Sequence, residues 1–210
     1  MDVIANGKLF AAVGVSGLRL GVGFALGSVL GVALGLCAGL WRHGDELLDG
    51  TLQALRAIPF LALAPLFNLW FSNGEAAKVL LVGFGATFPL YLSTTAGIRA
   101  VDARLLEAAK VSGLARWERI REVILPGALP QILTGLRIGF GWALAALVSA
   151  ELTKAASGIG ALVAEAREFV QTDLLFVCAV TYALLGLAAD GALRLAAARL
   201  LRWRRAYEGK

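Results

Sequence analysis

The chain has 210 residues, of which 59% are hydrophobic and 17% are charged, and its net charge is +5. A soluble domain carries about 25% charged residues, so one globular core in water cannot absorb this many apolar side chains and the surrounding solvent has to be lipid. The basic residues flank apolar runs, which indicates that they orient the chain in a membrane and that nucleic acid is not a partner.

The first predicted element is a membrane-spanning helix from Leu9 to Leu40, interrupted only by Arg19. A helix needs about 20 apolar residues to cross the hydrocarbon core. This run is too long for a cleavable signal peptide, and Asp2 stands where such a peptide has a basic region. Glycine recurs in the run at every fourth residue, at Gly23, Gly27, Gly31, Gly35 and Gly39. Such a row of small residues predicts close packing against another helix, either in this chain or in a second copy.

Four further spans follow in the sequence. The run from Ile58 to Phe71 is short and contains two prolines, so it needs residues 52–57 to reach across the membrane. The later runs are Val79 to Ile98, Leu129 to Ala150 and Leu174 to Leu193. Five spans predict an all-α, polytopic membrane helical bundle whose two termini lie on opposite sides. Cys37 and Cys178 fall inside apolar runs, where small core residues are expected and a disulfide or metal site is not.

The distribution of basic residues predicts which side is cytoplasmic, because loops on that side are enriched in Lys and Arg. One side holds fourteen of the twenty basic residues: Arg42, Arg56, Arg99, Arg104, Lys110, Arg116, Arg119, Arg121, Arg194, Arg199, Arg202, Arg204, Arg205 and Lys210. The other side holds four: Lys8, Lys78, Lys154 and Arg167. We therefore expect the N-terminus outside and the C-terminus in the cytoplasm.

A charged, amphipathic island separates the third and fourth spans and reads EAAKVSGLARWERIREVILP from Glu107 to Pro126. Its apolar residues recur at nearly helical spacing, at Leu106, Ala109, Leu114, Trp117 and Ile120. Gly113 interrupts this pattern, which predicts two short helices joined by a turn. By periodicity alone, a helix lying passively on the membrane surface and a knob inserted into a partner protein are about equally supported.

Polar residues inside the spans are candidates for function, because they are costly in lipid. Arg137 either extends to the membrane interface or lines the cytoplasmic end of a pathway for an anion. Asn68, Ser93 and Thr94 are further candidates for a polar conduit. Hydrogen bonds from Ser and Thr to the carbonyls of their own helix are the commoner explanation for such residues.

Three other charged residues in the spans have expected structural roles. Arg19 either extends to the outer interface, lines the outer side of a pathway or faces an external protein. Glu151 is expected in a structural or gating ion pair with Lys154. Asp190 is expected to pair with Arg194, which follows it by four residues on the same helix.

Six segments together resemble one transporter family. They are LRAIPFLALAPLFNLWF (residues 55–71), FPLYLSTTAGIR (88–99), the island, LPGALPQILTGLRIG (125–139), SGIG (157–160), and AREFVQTDLL followed by YALLGLAAD (166–175 and 182–190). In this order they resemble the binding-protein-dependent permeases of type I ABC importers, in the sulfonate, taurine and nitrate branch. The last segment is most similar to the aliphatic sulfonate permeases.

The resemblance implies a single transmembrane permease domain over residues 1–210, with a cytoplasmic coupling loop at about residues 99–128. In that loop the ATPase-coupling residues would be Glu107, Ala108, Ala109, Gly113, Leu125 and Pro126. The implied partners are a cytoplasmic ABC ATPase dimer, a second permease copy, a periplasmic or extracellular solute-binding protein and the lipid bilayer. The location would be the bacterial cytoplasmic membrane.

Two features of the chain depart from this family pattern. Val123 stands where the family usually has Ile, which is a conservative change. Members of this branch generally begin with one more span, so either an N-terminal span is missing from this chain or the five-span core is sufficient.

The expected function is translocation of a small organic anion. The resemblance favours an aliphatic sulfonate, with taurine, nitrate or another small solute of the branch as alternatives. The sequence contains no G-x-x-x-x-G-K-[ST] phosphate loop, so a separate chain is expected to hydrolyse ATP, and no cofactor is expected. An autonomous channel or secondary transporter is the alternative from another class, and it would predict inverted repeats, which are not evident. A membrane enzyme is disfavoured because no catalytic constellation is present.

Overall fold

A computed structural model of the chain describes residues 7–41, 60–71, 74–154 and 156–203, and these residues form helices and turns. The long helices are α1 (Lys8–Leu40), α3 (Glu75–Arg99), α6 (Leu125–Lys154) and α8 (Thr172–Leu200). The shorter ones are a 3-10 turn (Phe60–Leu63) leading into α2 (Ala64–Trp70), then α4 (Ala103–Val111), α5 (Arg116–Arg119) with a π-helical turn (Ile120–Ile124), and α7 (Ile159–Glu168).

Four of the five predicted spans are found as helices long and apolar enough to cross a membrane. They are α1, α3, the continuous stretch Arg116–Thr153 that contains α6, and α8. Of the remaining predicted span, the described part is the 3-10 turn and α2, while residues 52–59 lie outside the described ranges. The described chain is therefore a polytopic helical bundle, as predicted.

The glycine row of α1 packs against α3 of the same chain. A Cβ atom added at Gly27 would lie 2.2 Å from the carbonyl oxygen of Gly83. The hydroxyl of Thr87 on α3 also donates a hydrogen bond of 3.3 Å to the carbonyl of Gly27. Helix backbones approach this closely only where side chains are absent, so the predicted tight packing is confirmed and its partner is intramolecular.

Helices α1 and α3 run in the same direction. Near the first part of the contact Gly23 faces Val79, and at its other end Gly39 faces Ile98. The shared direction of α1 and α3 agrees with the predicted order, in which one further span lies between them in the sequence. We call the two ends of the bundle the Glu75 end and the Arg99 end, after the first and last residues of α3.

Helix α3 is the centre of the bundle, and α6 packs antiparallel to it while also touching α1, where Phe24 meets Phe140. Gly85 of α3 lies against Trp142 of α6, and Gly97 lies against Ala128. Helix α8 then packs on α6 and α7 and remains the least buried of the long helices. This order places α8 at the margin of the single chain, with much of its surface uncovered.

Candidate functional site

The island between the third and fourth spans folds as two short helices joined by a turn, as predicted. Gly113 follows α4 with φ of +79°, a left-handed backbone conformation that favours glycine. The amide of Leu114 donates to the carbonyl of Ala109 at 3.1 Å, and the amide of Gly113 donates to the carbonyl of Lys110 at 3.0 Å. This pair of hydrogen bonds is the usual way in which a glycine ends a helix.

The chain then enters the membrane-spanning helix without a break. The amide of Ala115 donates to the carboxylate of Glu118 at 2.7 Å, which fixes the start of α5. A π-helical turn connects α5 to α6 and lies directly before Pro126, whose missing amide cannot bond to the preceding turn. Movement of the α4–α5 segment is thereby mechanically connected to a long helix.

The α4–α5 segment keeps an uncovered apolar surface outside the bundle. Ala109 is buried and Leu114 is half-buried, but Val111 and Trp117 are 90% and 67% exposed. Glu107 is also exposed. A segment that served only to connect two spans would not need such side chains at its surface, so the segment is suited to contact another molecule.

Of the predicted coupling residues, Glu107, Ala108 and Gly113 lie on the exposed side of this segment, and Leu125 and Pro126 are half-buried at the start of α6. A Cβ atom added at Gly113 would meet nothing within 4 Å. Within this chain, therefore, only the backbone conformation restricts residue 113, and its coupling role stays a prediction.

The four predicted pathway residues occupy separate places in the single chain. Asn68 is buried on α2, and its Nδ2 atom has no hydrogen-bond partner among the described residues. Thr94 of α3 is buried against Gly35 of α1, whereas its neighbour Ser93 faces Gly135 of α6. Arg137 lies on the side of α6 that carries α8. Their role as one conduit stays a prediction.

A buried cluster of charges joins the helices at the Glu75 end of the bundle. The guanidinium of Arg19, 2% exposed, donates to Glu75 through Nη2 at 2.6 Å and to Glu151 through Nη1 at 2.7 Å. It also donates to the carbonyl of Ser157 at 2.8 Å. Arg19 thus neither extends to the interface nor faces an external protein, because its side chain is buried and acceptors within the chain satisfy its donors.

Glu151 is the acceptor at the centre of this cluster. Its carboxylate accepts hydrogen bonds from the hydroxyls of Ser16 and Tyr182, both at 2.7 Å, and from the amide of Gly160 at 3.0 Å. Glu151 pairs with Arg19, 132 residues away, a partner that sequence reasoning missed. The side chain of Lys154 lies outside the described residues, so its predicted pair with Glu151 stays a prediction. The role is structural, since the carboxylate ties α1, α6, α7 and α8 together.

The SGIG segment, which sequence reasoning noted only as a family string, builds the backbone of this cluster. Gly158 has φ of +93°, and an added Cβ would lie 2.6 Å from Nη1 of Arg19. At Gly160 an added Cβ would lie 2.3 Å from the Cβ of Glu151. Glycine is required at both positions because the first turn of α7 passes directly over the buried charges.

A second charge cluster lies between α6 and α8. Asp190 accepts from Nε of Arg194 at 2.6 Å, which confirms the predicted i, i+4 pair. It also accepts from Nε of Arg137 at 3.1 Å, a partner that sequence reasoning missed. The Arg137 side chain is 42% exposed and that of Asp190 is 32% exposed. The cluster holds two positive charges and one negative charge on an uncovered face of the chain.

Comparison with known proteins identifies relatives over nearly the whole length. Residues 27–202 match a family described as "Binding-protein-dependent transport system inner membrane component". The chain is 43% identical over 208 residues to a Bacillus subtilis (strain 168) protein named as an aliphatic sulfonates transport permease, SsuC, covering 99% of this chain and 75% of that protein. It is 46% identical over 206 residues to an Escherichia coli (strain K12) protein of the same name, covering 98% and 78%.

Two further similarities are more distant. The taurine transport system permease protein TauC of Escherichia coli (strain K12) is 39% identical over 157 residues, which is 75% of this chain and 57% of that protein. A chain of the MetNI methionine ABC transporter in an inward-facing conformation superimposes with a TM-score of 0.72 at 20% identity, covering 93% of this chain and 99% of that chain. At this identity the likeness establishes the fold.

Proposed function

Because this chain belongs to the family of binding-protein-dependent transport system inner membrane components, and is therefore a multi-pass membrane permease subunit, we propose that its solute is an aliphatic sulfonate. The observation that carries this proposal is the match of two relatives named as sulfonate permeases over 98–99% of the chain at 43–46% identity. The taurine permease matches a smaller share of the chain, 75%, at 39% identity. Taurine is itself a sulfonate, so both relatives favour the same head group.

The energy for transport comes from a separate ATPase dimer that docks on the α4–α5 segment. Two observations support this assignment. The segment presents exposed Val111 and Trp117 beyond the end of the spans. It also continues through the π-helical turn into α6, so a displacement of the segment reaches the membrane core through a rigid helix. A second copy of the permease and an external solute-binding protein complete the transporter.

The Arg99 end of the bundle, which carries the α4–α5 segment, is cytoplasmic, and the Glu75 end faces outward. Supporting this orientation, the exposed basic residues Arg104, Lys110 and Arg116 lie in the α4–α5 segment. The N-terminus is then outside and the C-terminus in the cytoplasm. The coupling segment and the Arg19–Glu151 cluster lie at opposite ends of the same helices.

The docking assignment can be tested by substituting Gly113 with asparagine and with aspartate, which both add a side chain yet tolerate the left-handed conformation of this turn. Asparagine adopts the left-handed conformation far more readily than alanine does, but it carries the larger side chain. If the ATPase approaches this turn closely, Gly113→Asn should abolish copurification of the ATPase and solute uptake while the permease stays in the membrane. Gly113→Asp should do the same.

The matched control is Gly191→Asn, at a helix position where an added Cβ also meets nothing within 4 Å. Normal uptake and normal ATPase association in Gly113→Asn would overturn the docking assignment. The solute itself is tested with the complete transporter in proteoliposomes, by comparing uptake of ethanesulfonate, taurine and nitrate. Uptake of nitrate without any sulfonate would overturn the sulfonate proposal.

A further inference from the structure

The Arg137–Asp190–Arg194 cluster is unusual because it places a surplus of positive charge inside the apolar part of the bundle. One carboxylate is shared by two guanidinium groups, at 3.1 Å and 2.6 Å. The three side chains together carry a net charge of +1. Both guanidinium groups share the one carboxylate of Asp190, so one additional anion would make the cluster electrically neutral.

The depth of the cluster follows from the packing of α6 on α3. Cβ atoms added at Gly135 and Gly139, on either side of Arg137, would contact Ser93 and Leu90 of α3. These residues precede Arg99 by six and nine positions, which places Arg137 about 9–14 Å from the end of α3 at 1.5 Å per residue. Charged side chains at such depth face a bundle interior or a water-filled cavity and avoid lipid tails. This depth favours a polar, water-accessible surrounding over lipid tails for the exposed face of the cluster.

An apolar groove continues from the cluster toward the Glu75 end, along the seam between α6 and α8. Its volume is about 570 Å³, and it is lined by Leu144, Ala145, Val148 and Tyr182 among others. This volume lies in the range of small-ligand pockets, about 300–1,000 Å³. The groove begins at Gly141, one helical turn from Arg137. A polar site and an apolar groove thus lie end to end on one face.

We propose that this face binds an amphiphilic anion in transit, with its head group on Arg137 and its alkyl tail in the α6–α8 groove. An alkanesulfonate has these two parts, a single negative charge and an apolar tail, so the inference rests on the proposed function and adds where the solute binds. When the head group binds Arg137, Arg194 retains the carboxylate of Asp190. The ion pair between Arg137 and Asp190 therefore opens without leaving that carboxylate unpaired.

The groove can be tested without disturbing the fold, because a Cβ atom added at Gly141 would meet nothing within 4 Å. Gly141→Leu should fill the groove and leave the bundle intact. With the complete transporter in proteoliposomes, we expect its uptake of hexanesulfonate to fall at least tenfold, while uptake of methanesulfonate stays within twofold of the unsubstituted protein. Gly21→Leu, at an equally open position on α1, should leave the dependence on chain length unchanged.

The head-group site is tested by Arg137→Gln and Arg137→Lys. Loss of one charge-assisted hydrogen bond lowers the affinity for the anion by about tenfold or more. Arg137→Gln should therefore reduce the uptake of sulfonates of every chain length alike. Arg137→Lys should restore most of it. Equal uptake by Arg137→Gln and the unsubstituted protein would overturn the head-group assignment.

The remaining outcomes separate this inference from the proposed function and from lipid binding. If the unsubstituted transporter takes up no sulfonate of any length, the proposed function fails. If it does, but Gly141→Leu and Gly21→Leu show the same chain-length profile, the groove assignment fails and the proposed function stands. An anionic lipid in the groove would instead make uptake depend on phosphatidylglycerol in the vesicles, and Gly141→Leu would remove that dependence without changing the chain-length profile, which also overturns the inference.

Discussion

Substitution of Gly27 by alanine should destabilise the bundle, because the methyl group would collide with backbone. The added Cβ would lie 2.2 Å from the carbonyl oxygen of Gly83 and 2.8 Å from its Cα atom. Real Cβ contacts essentially never fall below 3.0 Å, so α1 and α3 would have to separate by about 0.8 Å or more. No side-chain rotation relieves the contact, since a methyl group has no other rotamer and the atoms that it meets belong to the main chain of Gly83.

The expected size follows from two opposing contributions. Overpacking of a close contact typically costs about 1–3 kcal/mol, while alanine is more favourable than glycine in a helix by about 0.8–1 kcal/mol. Gly21→Ala is the matched control on the same helix, because an added Cβ there meets nothing within 4 Å. Only the favourable contribution applies to it. Gly27→Ala should therefore be less stable than Gly21→Ala by about 1–3 kcal/mol.

The measurement is equilibrium unfolding of the purified permease in mixed micelles, as the fraction of SDS is raised and tryptophan fluorescence is followed. The comparison between the two variants cancels the helix propensity that they share. Equal free energies of unfolding for Gly27→Ala and Gly21→Ala would refute the conclusion that the glycine row is a backbone-to-backbone contact within the chain.

Three further predictions concern the two ends of the bundle. Glu151→Gln should cost about 1–3 kcal/mol in the same unfolding assay, because it removes one of the two carboxylates that pair with the buried Arg19. Glu165→Gln, on the exposed side of α7, should change stability by less than about 0.5 kcal/mol; similar losses in both would contradict the buried pair. Val170 has φ of +54°, so Val170→Gly should raise the thermal midpoint by relieving about 1 kcal/mol of strain, and a lowered midpoint would contradict this. A reporter active only in the cytoplasm should give signal when fused after Lys210, and a dark but stably expressed fusion would contradict the proposed orientation.

Local features of the structure were readable from the sequence because they depend on neighbouring residues. Apolar run length predicted α1, α3, α6 and α8, although each helix extends past the predicted run by one to seven residues. At the start of α3 the difference arises because the carboxylate of Glu75 pairs with both Lys78 and Arg19. The turn at Gly113 was predicted for the same local reason, since glycine adopts that left-handed conformation without strain.

Pairings between distant parts of the chain could not be read in this way. The ion pair of Asp190 with Arg194 was predicted because one helical turn separates them, but the pair of Asp190 with Arg137 was not. Periodicity shows that the glycine row of α1 is a packing surface, yet it carries no information on which helix covers it. Each of these partners is set by the register between packed helices.

The sequence by itself determined the membrane class, four of the five predicted spans, the two-helix form of the α4–α5 segment and the family. Only the tertiary structure decided that Glu151 pairs with Arg19, that the SGIG segment covers this pair, and that a net positive cluster lies at the end of an apolar groove. The physical reason is that composition and periodicity report the environment of one helix at a time. A charge inside the bundle is satisfied by whichever side chains the packing of several helices brings within hydrogen-bond distance.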